Sequence, residues 1–534
     1  MNAWIPLALA VNTSDVSELW WDGGLLWAAT SGGLEAWSDA GERVHHVAAA
    51  LPEVSARSVG AWHGRLTAGL SHQGAAVASD LWARALEPVP TGAGYPDGEV
   101  VAVLPDLLVT AGGLLWPTEV RLPGHIVDAV SWRGAVVAGT LDGTLLVWRD
   151  GELSRYPLPG PARDLEVVHG AVRIAAQRGA VIFDGALTVL DLAAVAAGPL
   201  WGTADGRLVE AEPGRPARDR ARLPAPARTI EALPGGAVAI ATARGLYRYD
   251  AGGLRRLTPP DQVCGPFLMA ATRFQGALVA ASFDQGACVQ RPDGSWAALP
   301  GLPSTMINDA LAGPDALWLA TSAGLARYDG AAVEVFGAAG WFDPPAAHGV
   351  NHEAVNALAQ GERLWALDVV GPTSVDVGGR WRRHRRSVYG TSYQEAAACG
   401  DEAWFASEDA GLAWTNGRRW RVHDLATGLP DDWIMAVACD GPGHAWAGTY
   451  QDGVWRFDGH VWRALPGLEQ RNVQALLWDG EGLWVGTAAG LFRWQDGAWS
   501  AIPGAPSGSV HEITLVDGAV VVATEAGLVV YGRG

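Results

Sequence analysis

The stretch LWVGTAAGLFRWQDGAW, from Leu483 to Trp499, decides the fold. It predicts a short strand (LWVGT), a tight loop that ends at Gly490, a second strand (GLFRW), a turn at Asp496-Gly497 and the start of a third strand. Glycine suits a left-handed loop position, and Asp-Gly is a favoured pair for a two-residue hairpin turn. The stretch is therefore one copy of a hairpin unit, and variants of it recur along the chain.

The unit occurs fourteen times when each copy is anchored on the glycine that ends its first loop. The copies are about 38 residues apart on average, close to the period of propeller blades. The anchors are Gly33, Gly74, Gly113, Gly143, Gly179, Gly206, Gly245, Gly286, Gly324, Gly371, Gly411, Gly453, Gly490 and Gly527. The intervals 113 to 143 and 179 to 206 are short, which predicts degenerate or trimmed copies there. Four short strands per copy at this period are the signature of a β-propeller.

One well-formed copy, residues 434–464, gives the strand order. IMAVACD predicts an innermost strand a, which we expect to be buried on both sides because it is apolar. HAWAGTY, GVWRF and HVWRA predict strands b, c and d. The Gly-Thr or Ala-Thr pair that ends strand b is expected to let neighbouring blades pack closely, with tryptophans as core between them. We therefore predict an all-β fold of tandem β-propellers, with about fourteen four-stranded blades in two seven-bladed rings.

The two ends of the chain are predicted to share a blade. The last copy ends at GLVVYGRG without a d strand, and Trp4–Leu9 aligns with the d strand that precedes the last copy. Pairing the termini would remove exposed edges. Pro/Gly-rich joints at 222–229 and 503–509 then predict a first propeller of residues 1–228 with 505–534 and a second of residues 229–504. The stretch TPPDQVCGP (258–266) is an alternative first joint, which would allow two consecutive rings or an 8+6 split.

Composition narrows the class of partner and the compartment. The formal net charge is -19, with 57 acidic against 38 basic residues, so nucleic acid and anionic membrane surfaces are disfavoured. The 4 cysteines do not make a disulfide scaffold, and Cys399 and Cys439 are interpreted as small buried strand residues. The N-terminal segment is interpreted as a strand and not as a signal peptide, and no apolar run has the length of a membrane helix. We therefore expect a cytoplasmic protein.

Two copies resemble the two-component-regulator propeller repeat: GLPDDWIMAVACDGPGHAWAGTYQDGVWRFDG (428–459) and GLPSTMINDALAGPDALWLATSAGLARYDG (301–330). In that family such propellers usually sense ligands and are fused to membrane histidine kinases. This sequence has no kinase motif, no membrane segment and no immunoglobulin-like domain, so the resemblance supports the fold more than the signalling role. Stand-alone bacterial propellers of this kind also resemble the components encoded beside MoxR-type ATPases and von Willebrand A proteins in conflict systems. That resemblance implies a recognition subunit.

Two classes of function compete. Nucleophile-elbow, zincin, Walker and dinucleotide motifs are all missing from the sequence, which favours a non-catalytic binding platform for a protein partner or a small ligand. The alternative is a propeller enzyme, a lyase or hydrolase of glycans or cyclic substrates. Carboxylates with strongly shifted pKa values, or a metal, in the central channel would favour the enzyme. Their absence would favour the binding platform. We expect no cofactor and no metal, although His348 and His352 are spaced for one on a helical turn.

The binding surface is predicted on the second propeller, where d–a and b–c loops emerge on one face. The d–a loops are longest at 337–354 and 385–396, followed by 426–435, and the matching b–c loops carry larger polar side chains. The basic run RWRRHRRSVYG (380–390) is either an anion site or an outer d strand with Arg side chains over Trp381. Aromatic groups beside charges are typical of binding sites. The predicted site residues are Trp341, Phe342, His348, His352, Tyr389, Tyr393, Asp409, Trp433 and Tyr450.

Overall fold

The structure, a computed structural model, describes residues 4–47, 55–71, 73–78, 86–89, 98–118, 120–259, 262–265, 267–337, 350, 352, 354–376, 378–384, 392–502, 509–525 and 527–533. The chain divides into two compact units. We call Thr13–Pro260 the N-terminal propeller, and Met1–Asn12 with Asp261–Gly534 the C-terminal propeller. Within the described residues both consist of strands, with 3-10 turns at Pro234–Gly236 and Leu425–Thr427.

The first strand of the chain, β1 (Trp4–Ala10), belongs to the C-terminal propeller. The strands of the N-terminal propeller are β2 (Val16–Trp21), β3 (Leu26–Thr30), β4 (Gly33–Trp37), β5 (Arg43–Val47), β6 (Ala56–Trp62), β7 (Arg65–Leu70), β8 (Gln73–Ala78), β9 (Leu86–Pro88), β10 (Gly98–Val103), β11 (Leu108–Thr110), β12 (Leu115–Trp116), β13 (Ile126–Trp132), β14 (Ala135–Thr140), β15 (Thr144–Arg149), β16 (Glu152–Pro157), β17 (Ala162–Val168), β18 (Ala171–Ala176), β19 (Gly179–Phe183), β20 (Leu187–Leu190), β21 (Trp201–Gly202), β22 (Arg207–Glu210), β23 (Arg218–Arg222), β24 (Ala227–Ala232), β25 (Val238–Thr242), β26 (Gly245–Asp250) and β27 (Gly253–Arg256).

The remaining strands of the C-terminal propeller are β28 (Leu268–Phe274), β29 (Ala277–Ser282), β30 (Gly286–Gln290), β31 (Trp296–Ala298), β32 (Ile307–Ala312), β33 (Leu317–Thr321), β34 (Gly324–Tyr328), β35 (Val333–Phe336), β36 (Val355–Gln360), β37 (Arg363–Asp368), β38 (Gly371–Asp376), β39 (Trp381–Arg383), β40 (Tyr393–Cys399), β41 (Glu402–Ser407), β42 (Leu412–Thr415), β43 (Trp420–His423), β44 (Ile434–Gly441), β45 (His444–Thr449), β46 (Val454–Phe457), β47 (Trp462–Ala464), β48 (Val473–Trp478), β49 (Leu483–Thr487), β50 (Gly490–Gln495), β51 (Ala498–Ala501), β52 (Val510–Val516), β53 (Ala519–Thr524) and β54 (Gly527–Arg533).

The C-terminal propeller is a closed ring of seven four-stranded antiparallel blades among the described residues. Six blades are consecutive in the chain, from β28–β31 to β48–β51, and the seventh has the order β1-β54-β53-β52. The innermost strands β28, β32, β36, β40, β44, β48 and β52 contact each other in turn, and β52 contacts β28. The two ends of the chain thus share the blade that closes this ring, with Trp4 opposite Arg533 and Ala10 opposite Leu528.

The N-terminal propeller also has seven blades among the described residues, and two of them are incomplete. In the described part of the chain the blade β10–β12 has three strands, and β10 pairs in parallel with β8 of the preceding blade. The blade β21–β23 has three strands, and a single bridge from Ala196 to Gly202 stands where an inner strand would lie. These are the two places where the repeat interval is short, so the prediction of trimmed copies is confirmed.

The division between the rings differs from the predicted bounds of 1–228 with 505–534 and 229–504. The joint at 222–229 lies inside the N-terminal propeller, because β24 contacts β2 and closes that ring. The joint at 503–509 lies inside the C-terminal propeller, because β48 contacts β52. The boundary instead falls at Pro260 and Asp261, within the alternative stretch 258–266, and the shared blade completes the C-terminal ring. Pro/Gly-rich stretches occur in ordinary d–a loops, so composition alone does not mark a ring boundary.

Close packing between blades depends on the small residues at the end of strand b. A Cβ on Gly486 would lie 2.5 Å from Cγ1 of Val510 in the next blade. The Thr487 hydroxyl donates to the Gly490 carbonyl at 2.9 Å and so closes the b–c loop, while Gly490 has a φ of 127°. Trp484, on the same strand β49 as Gly486, is fully buried. The repeated Gly-Thr-x-x-Gly pattern is therefore a local rule for loop closure and blade contact.

Contrary to the prediction from the sequence, the innermost strand β44 is not buried on both sides, because half-buried Met435 and Cys439 flank its buried residues 436–438 and line the central channel. The ring leaves one side of every inner strand facing this channel, so each strand carries channel residues as well as core residues. These channel residues are candidates for a site.

Candidate functional site

The loop face of the C-terminal propeller is the surface formed by its d–a and b–c loops, where the predicted site residues were placed. Three of them, Asp409, Trp433 and Tyr450, come together on neighbouring loops. Trp433 ends the d–a loop before β44, Tyr450 opens the b–c loop after β45, and Asp409 lies in the preceding b–c loop after β41. The backbone N–H of Gly411 donates to the carbonyl of Asp432 at 2.8 Å, which ties the Asp409 loop to the Trp433 loop.

Trp433 and Tyr450 form a flat aromatic pair at the surface. Their ring centroids are 4.2 Å apart and the planes differ by 8°. The backbone N–H of Tyr450 also donates to the Trp433 carbonyl at 3.2 Å. Trp433 is 37% exposed, unlike the buried tryptophans of the b strands. A fixed, partly exposed apolar plate with a phenol hydroxyl beside it is a typical feature of binding surfaces.

The loop that carries Trp433 is held by its own hydrogen bonds. Asp424 caps the 3-10 turn Leu425–Thr427 in a capping box with Thr427. The carboxylate of Asp432 accepts from the Leu425 N–H at 3.0 Å, and that of Asp431 accepts from the Trp433 N–H at 3.0 Å. Because these bonds fix the loop, Trp433 and the exposed Leu425 are presented with little ordering cost on binding.

Other predicted site residues have different positions. Tyr393 is fully buried at the start of β40, where its ring packs edge-on against Phe405, so its assignment to the surface is wrong. The first residue of an inner strand points into the space between blades, which explains this burial. His352 is half-buried; its N–H donates to Asp368 at 2.9 Å and its Nδ1 accepts from Ala354 N–H at 3.1 Å. Trp341, Phe342, His348 and Tyr389 lie outside the described residues.

The described part of the basic run forms an outer strand, β39, followed by His384. Trp381 packs against Phe336 with ring centroids 4.9 Å apart. His384 is buried against Trp365, and burial lowers its pKa to about 4, with Arg382 and Arg363 adding to the shift. The interpretation as an outer d strand is therefore confirmed for Trp381–Arg383, and the packing of Arg side chains over Trp381 stays a prediction. Among the described residues, no group of three or more His, Cys, Asp or Glu side chains is arranged to hold a metal ion.

The central channel of the C-terminal propeller is a cavity of about 420 Å³ lined by its inner strands. At the loop face each of the seven inner strands contributes its second residue to the mouth, and most of these are amides. They are Met269, Asn308, Asn356, Gln394, Met435, Gln474 and His511. The mouth therefore offers hydrogen-bonding groups without formal charge, because burial lowers the His511 pKa to about 4 and keeps that ring neutral at pH 7.

Three carboxyl groups, Asp309, Glu395 and Glu512, lie one residue further along their inner strands. Each accepts a backbone N–H from the inner strand of the next blade: Asp309 from Leu358 at 2.6 Å and Glu395 from Val437 at 3.1 Å. Glu512 likewise accepts from Ala271 at 3.1 Å. These bonds give the carboxyl groups a structural role in joining blades.

Their pKa values are shifted upwards. Burial raises the pKa of Asp309 to about 7 and that of Glu395 well above its usual range. Burial, and next the charge of Asp309, raises the pKa of Glu512 as well. Each side chain keeps part of its surface open to the channel. Shifted carboxyl groups in a channel were the feature expected of an enzyme, and the blade-joining bonds give them a structural explanation. The feature therefore does not separate the two classes.

Sequence reasoning missed these channel residues and the exposed Leu425. A signal was present: strands that otherwise read as apolar carry an acid at the third position. The copies are Val16-Ser17-Glu18, Ile126-Val127-Asp128, Ala162-Arg163-Asp164, Ile307-Asn308-Asp309, Tyr393-Gln394-Glu395 and Val510-His511-Glu512. An acid at a fixed place in a buried strand indicates a position that faces a channel or a hydrogen-bond donor.

The sequence matches no protein-family model and no curated protein. Solved structures do match. PorZ, a bacterial surface component of the type-IX secretion system of Porphyromonas gingivalis, is 14% identical with a TM-score of 0.65 over 99% of this chain and 87% of that one. The GH74 enzyme of Niastella koreensis is 13% identical with a TM-score of 0.61 over 99% of both chains.

A further match is the extracellular domain of a putative hybrid two-component system of B. thetaiotaomicron. It is 14% identical with a TM-score of 0.44, over 100% of this chain and 83% of that one. At these identities the likenesses concern the fold, and the fold of tandem propellers is confirmed by them.

The prediction of a cytoplasmic protein is wrong. The structural neighbour PorZ is described as a surface component. In addition, the cysteines are paired as Cys264–Cys288 and Cys399–Cys439, with Cα atoms 5.7 and 6.3 Å apart. Disulfides persist in oxidising compartments and are rare in the cytosol. The interpretation of Cys399 and Cys439 as small buried strand residues is also wrong: both are half-buried, and they are bonded to each other from β40 and β44 of adjacent blades. In the described part of the chain, no helix is both long enough and apolar enough to span a bilayer.

Proposed function

We propose that this chain is a non-catalytic binding protein that recognises a protein or a small ligand through the loop face of its C-terminal propeller. The observation that carries the proposal is the exposed stack of Trp433 on Tyr450, held by a preorganised loop. Asp409 lies on the adjoining loop, where its carboxylate accepts a hydrogen bond from the Ser407 hydroxyl at 2.6 Å. Aromatic anchors with polar neighbours are the usual centres of binding energy at interfaces.

We further propose that binding takes place outside the cytoplasm, as part of ligand sensing or surface assembly. The two disulfides support this location. The printed descriptions of PorZ and of the two-component extracellular domain are compatible with it. Association with a MoxR-type ATPase rests on the repeat resemblance alone and stays a prediction.

A glycan-directed enzyme is the second candidate. It rests on the carboxyl groups of the channel, Asp309, Glu395 and Glu512, whose raised pKa values would suit a general acid as well as their blade-joining role. The GH74 fold neighbour is an enzyme, although its likeness concerns the fold. The candidate predicts glycan hydrolysis by the wild-type protein and its loss in Glu395→Gln. Wild-type protein that releases no reducing ends from polysaccharides, xyloglucan included, would contradict it.

The binding proposal is tested with the double variant Trp433→Ala/Tyr450→Ala. Wild-type and variant proteins are immobilised and used to capture partners from a surface extract of the source organism. We expect the variant to lose the captured partner while its thermal midpoint is unchanged, since the stack lies outside the core. Val461→Ala is the matched control, because Val461 is exposed on the c–d side of the same blade. Normal capture by the double variant, or unfolding like a core mutant, would contradict the site.

A further inference from the structure

We propose that the channel mouth of the N-terminal propeller binds a small organic carboxylate with an apolar body. Arg57, Arg163 and Arg228 occupy the second position of the inner strands β6, β17 and β24, and all three line a cavity of about 860 Å³. The corresponding positions of the C-terminal propeller carry amides, methionines and a histidine. The two mouths therefore differ in charge although their architecture is the same.

The three guanidinium groups differ in their ion-pair partners. Arg57 donates to Glu99 at 2.8 Å, and Arg228 forms an ion pair with Asp15. Arg163 is exposed, and no ion pair to it is found among the described residues of this propeller. A guanidinium presents two parallel N–H donors that match a carboxylate. Arg163 is therefore the group that an incoming carboxylate would contact first.

Three acidic residues, Glu18, Asp128 and Asp164, also line this cavity. They repel an anion less strongly than three ionised carboxylates would. Burial raises the pKa of Glu18 to about 8, so this group is largely protonated at pH 7, and burial also raises the pKa of Asp164 well above its usual range. Asp128, with a pKa raised by burial to about 6, stays mostly ionised. Both of its oxygens already accept backbone N–H groups, from Ala129 and Leu165 at 2.7 Å each.

The walls of the cavity decide the class of anion. Besides the arginines, the lining includes Val101, Val127, Pro161, Val195, Pro226 and Leu141, which is 56% exposed. Apolar walls with a few polar groups are typical of sites for organic molecules. An inorganic phosphate would pair with Arg163 but would leave these apolar walls unused. A carboxylate with a hydrocarbon body uses both the walls and Arg163.

The test is isothermal titration of the full chain at pH 7 with octanoate, octanamide and inorganic phosphate. We expect octanoate to bind, and to bind at least about tenfold more weakly to Arg163→Gln, because a charge-assisted hydrogen-bond pair is lost. Arg163→Lys should retain part of the affinity. Arg155→Gln is the matched control: Arg155 is an exposed arginine on the outer strand β16, away from the cavity.

Each other outcome overturns the proposal. Equal binding of octanamide would show that the charge plays no part, and tighter binding of phosphate would show an inorganic anion site. If octanoate binds equally to wild type and to Arg163→Gln, its binding site does not include Arg163. If octanoate does not bind to the wild-type protein, the proposed site does not exist. Circular dichroism of the variants verifies that they are folded. Because the loop-face variants lie in the other propeller, failure here leaves the proposed function intact.

Discussion

Glu512 joins the last blade of the C-terminal propeller to the first, since its Oε2 accepts the backbone N–H of Ala271 at 3.1 Å. Asp309 and Glu395 make the same type of bond to the next blade in sequence. The inner wall of the ring is thus stabilised in part by largely buried carboxyl groups. Such groups couple the stability of the ring to pH.

Raising the pH should destabilise the C-terminal propeller. The pKa values of Glu512 and Glu395 are raised in the folded state and that of Asp309 is about 7, whereas in the unfolded chain such groups titrate near 4. Their stabilising contribution is therefore complete below about pH 4 and is lost as the pH rises through the folded values. Urea unfolding at pH 7, 8 and 9 should show a falling free energy of unfolding; below about pH 6.5 the buried histidines His384 and His511, whose pKa values are lowered to about 4, act in the opposite direction.

Glu512→Gln should reduce that dependence, because its amide oxygen still accepts the Ala271 N–H but does not ionise. The loss of slope is at most about 1.4 kcal/mol per pH unit. Glu469→Gln, at an exposed position of the same propeller, serves as the control. An unchanged slope in Glu512→Gln would mean that the pKa of Glu512 is not raised.

Trp4→Ala should destabilise the C-terminal propeller strongly. Trp4 is 8% exposed, its ring meets Trp484 edge-on at 5.1 Å, and Arg533 lies over it. Removal of a buried tryptophan costs about 3–5 kcal/mol. Ile5→Ala is the comparison, since Ile5 on the same strand is 44% exposed and should change little. If calorimetry gives equal midpoints for the two variants, the N-terminal strand does not close the ring.

Gly486→Ala should destabilise the same propeller by about 1–3 kcal/mol through overpacking. Its Cβ would lie 2.5 Å from Val510 Cγ1 and 2.8 Å from Val510 Cβ, and the inner strand that carries Val510 leaves little room to move. Gly337→Ala, where a Cβ meets nothing within 4 Å, should be tolerated. Chemical denaturation measures both, and a neutral Gly486→Ala would show that blade spacing is not set by this contact.

Reduction of the disulfides should lower stability. Cys399–Cys439 closes a loop of 40 residues, for which the chain-entropy estimate is about 4 kcal/mol. Thiol titration of the denatured, unreduced protein should detect no free cysteine, and Cys399→Ser/Cys439→Ser should unfold at a lower denaturant concentration. The other disulfide, Cys264–Cys288, closes a shorter loop and stays intact in that variant as an internal reference. Free thiols in protein produced under oxidising conditions would contradict the pairing.

The local pattern of the sequence determined the blades. Loop glycines, Asp-Gly turns and the Gly-Thr pair of strand b act over a few residues, so one copy such as Leu483–Trp499 predicts its own strands wherever it stands. The same patterns predicted the trimmed blades and the strand at Trp4. They also placed Trp433 and Tyr450 on exposed loops of one face.

Tertiary structure alone decided which blades close into which ring, because every blade offers nearly the same contact to its neighbour and no local pattern marks the last one. It also decided which residues face a channel or a partner. Cys399 and Cys439 stand at equivalent places in adjacent copies, and only the packing of β40 beside β44 brings them within bonding distance. Glu512 and Tyr393 both lie on inner strands, yet one reaches the channel and the other the core, since the ring fixes the direction of each side chain.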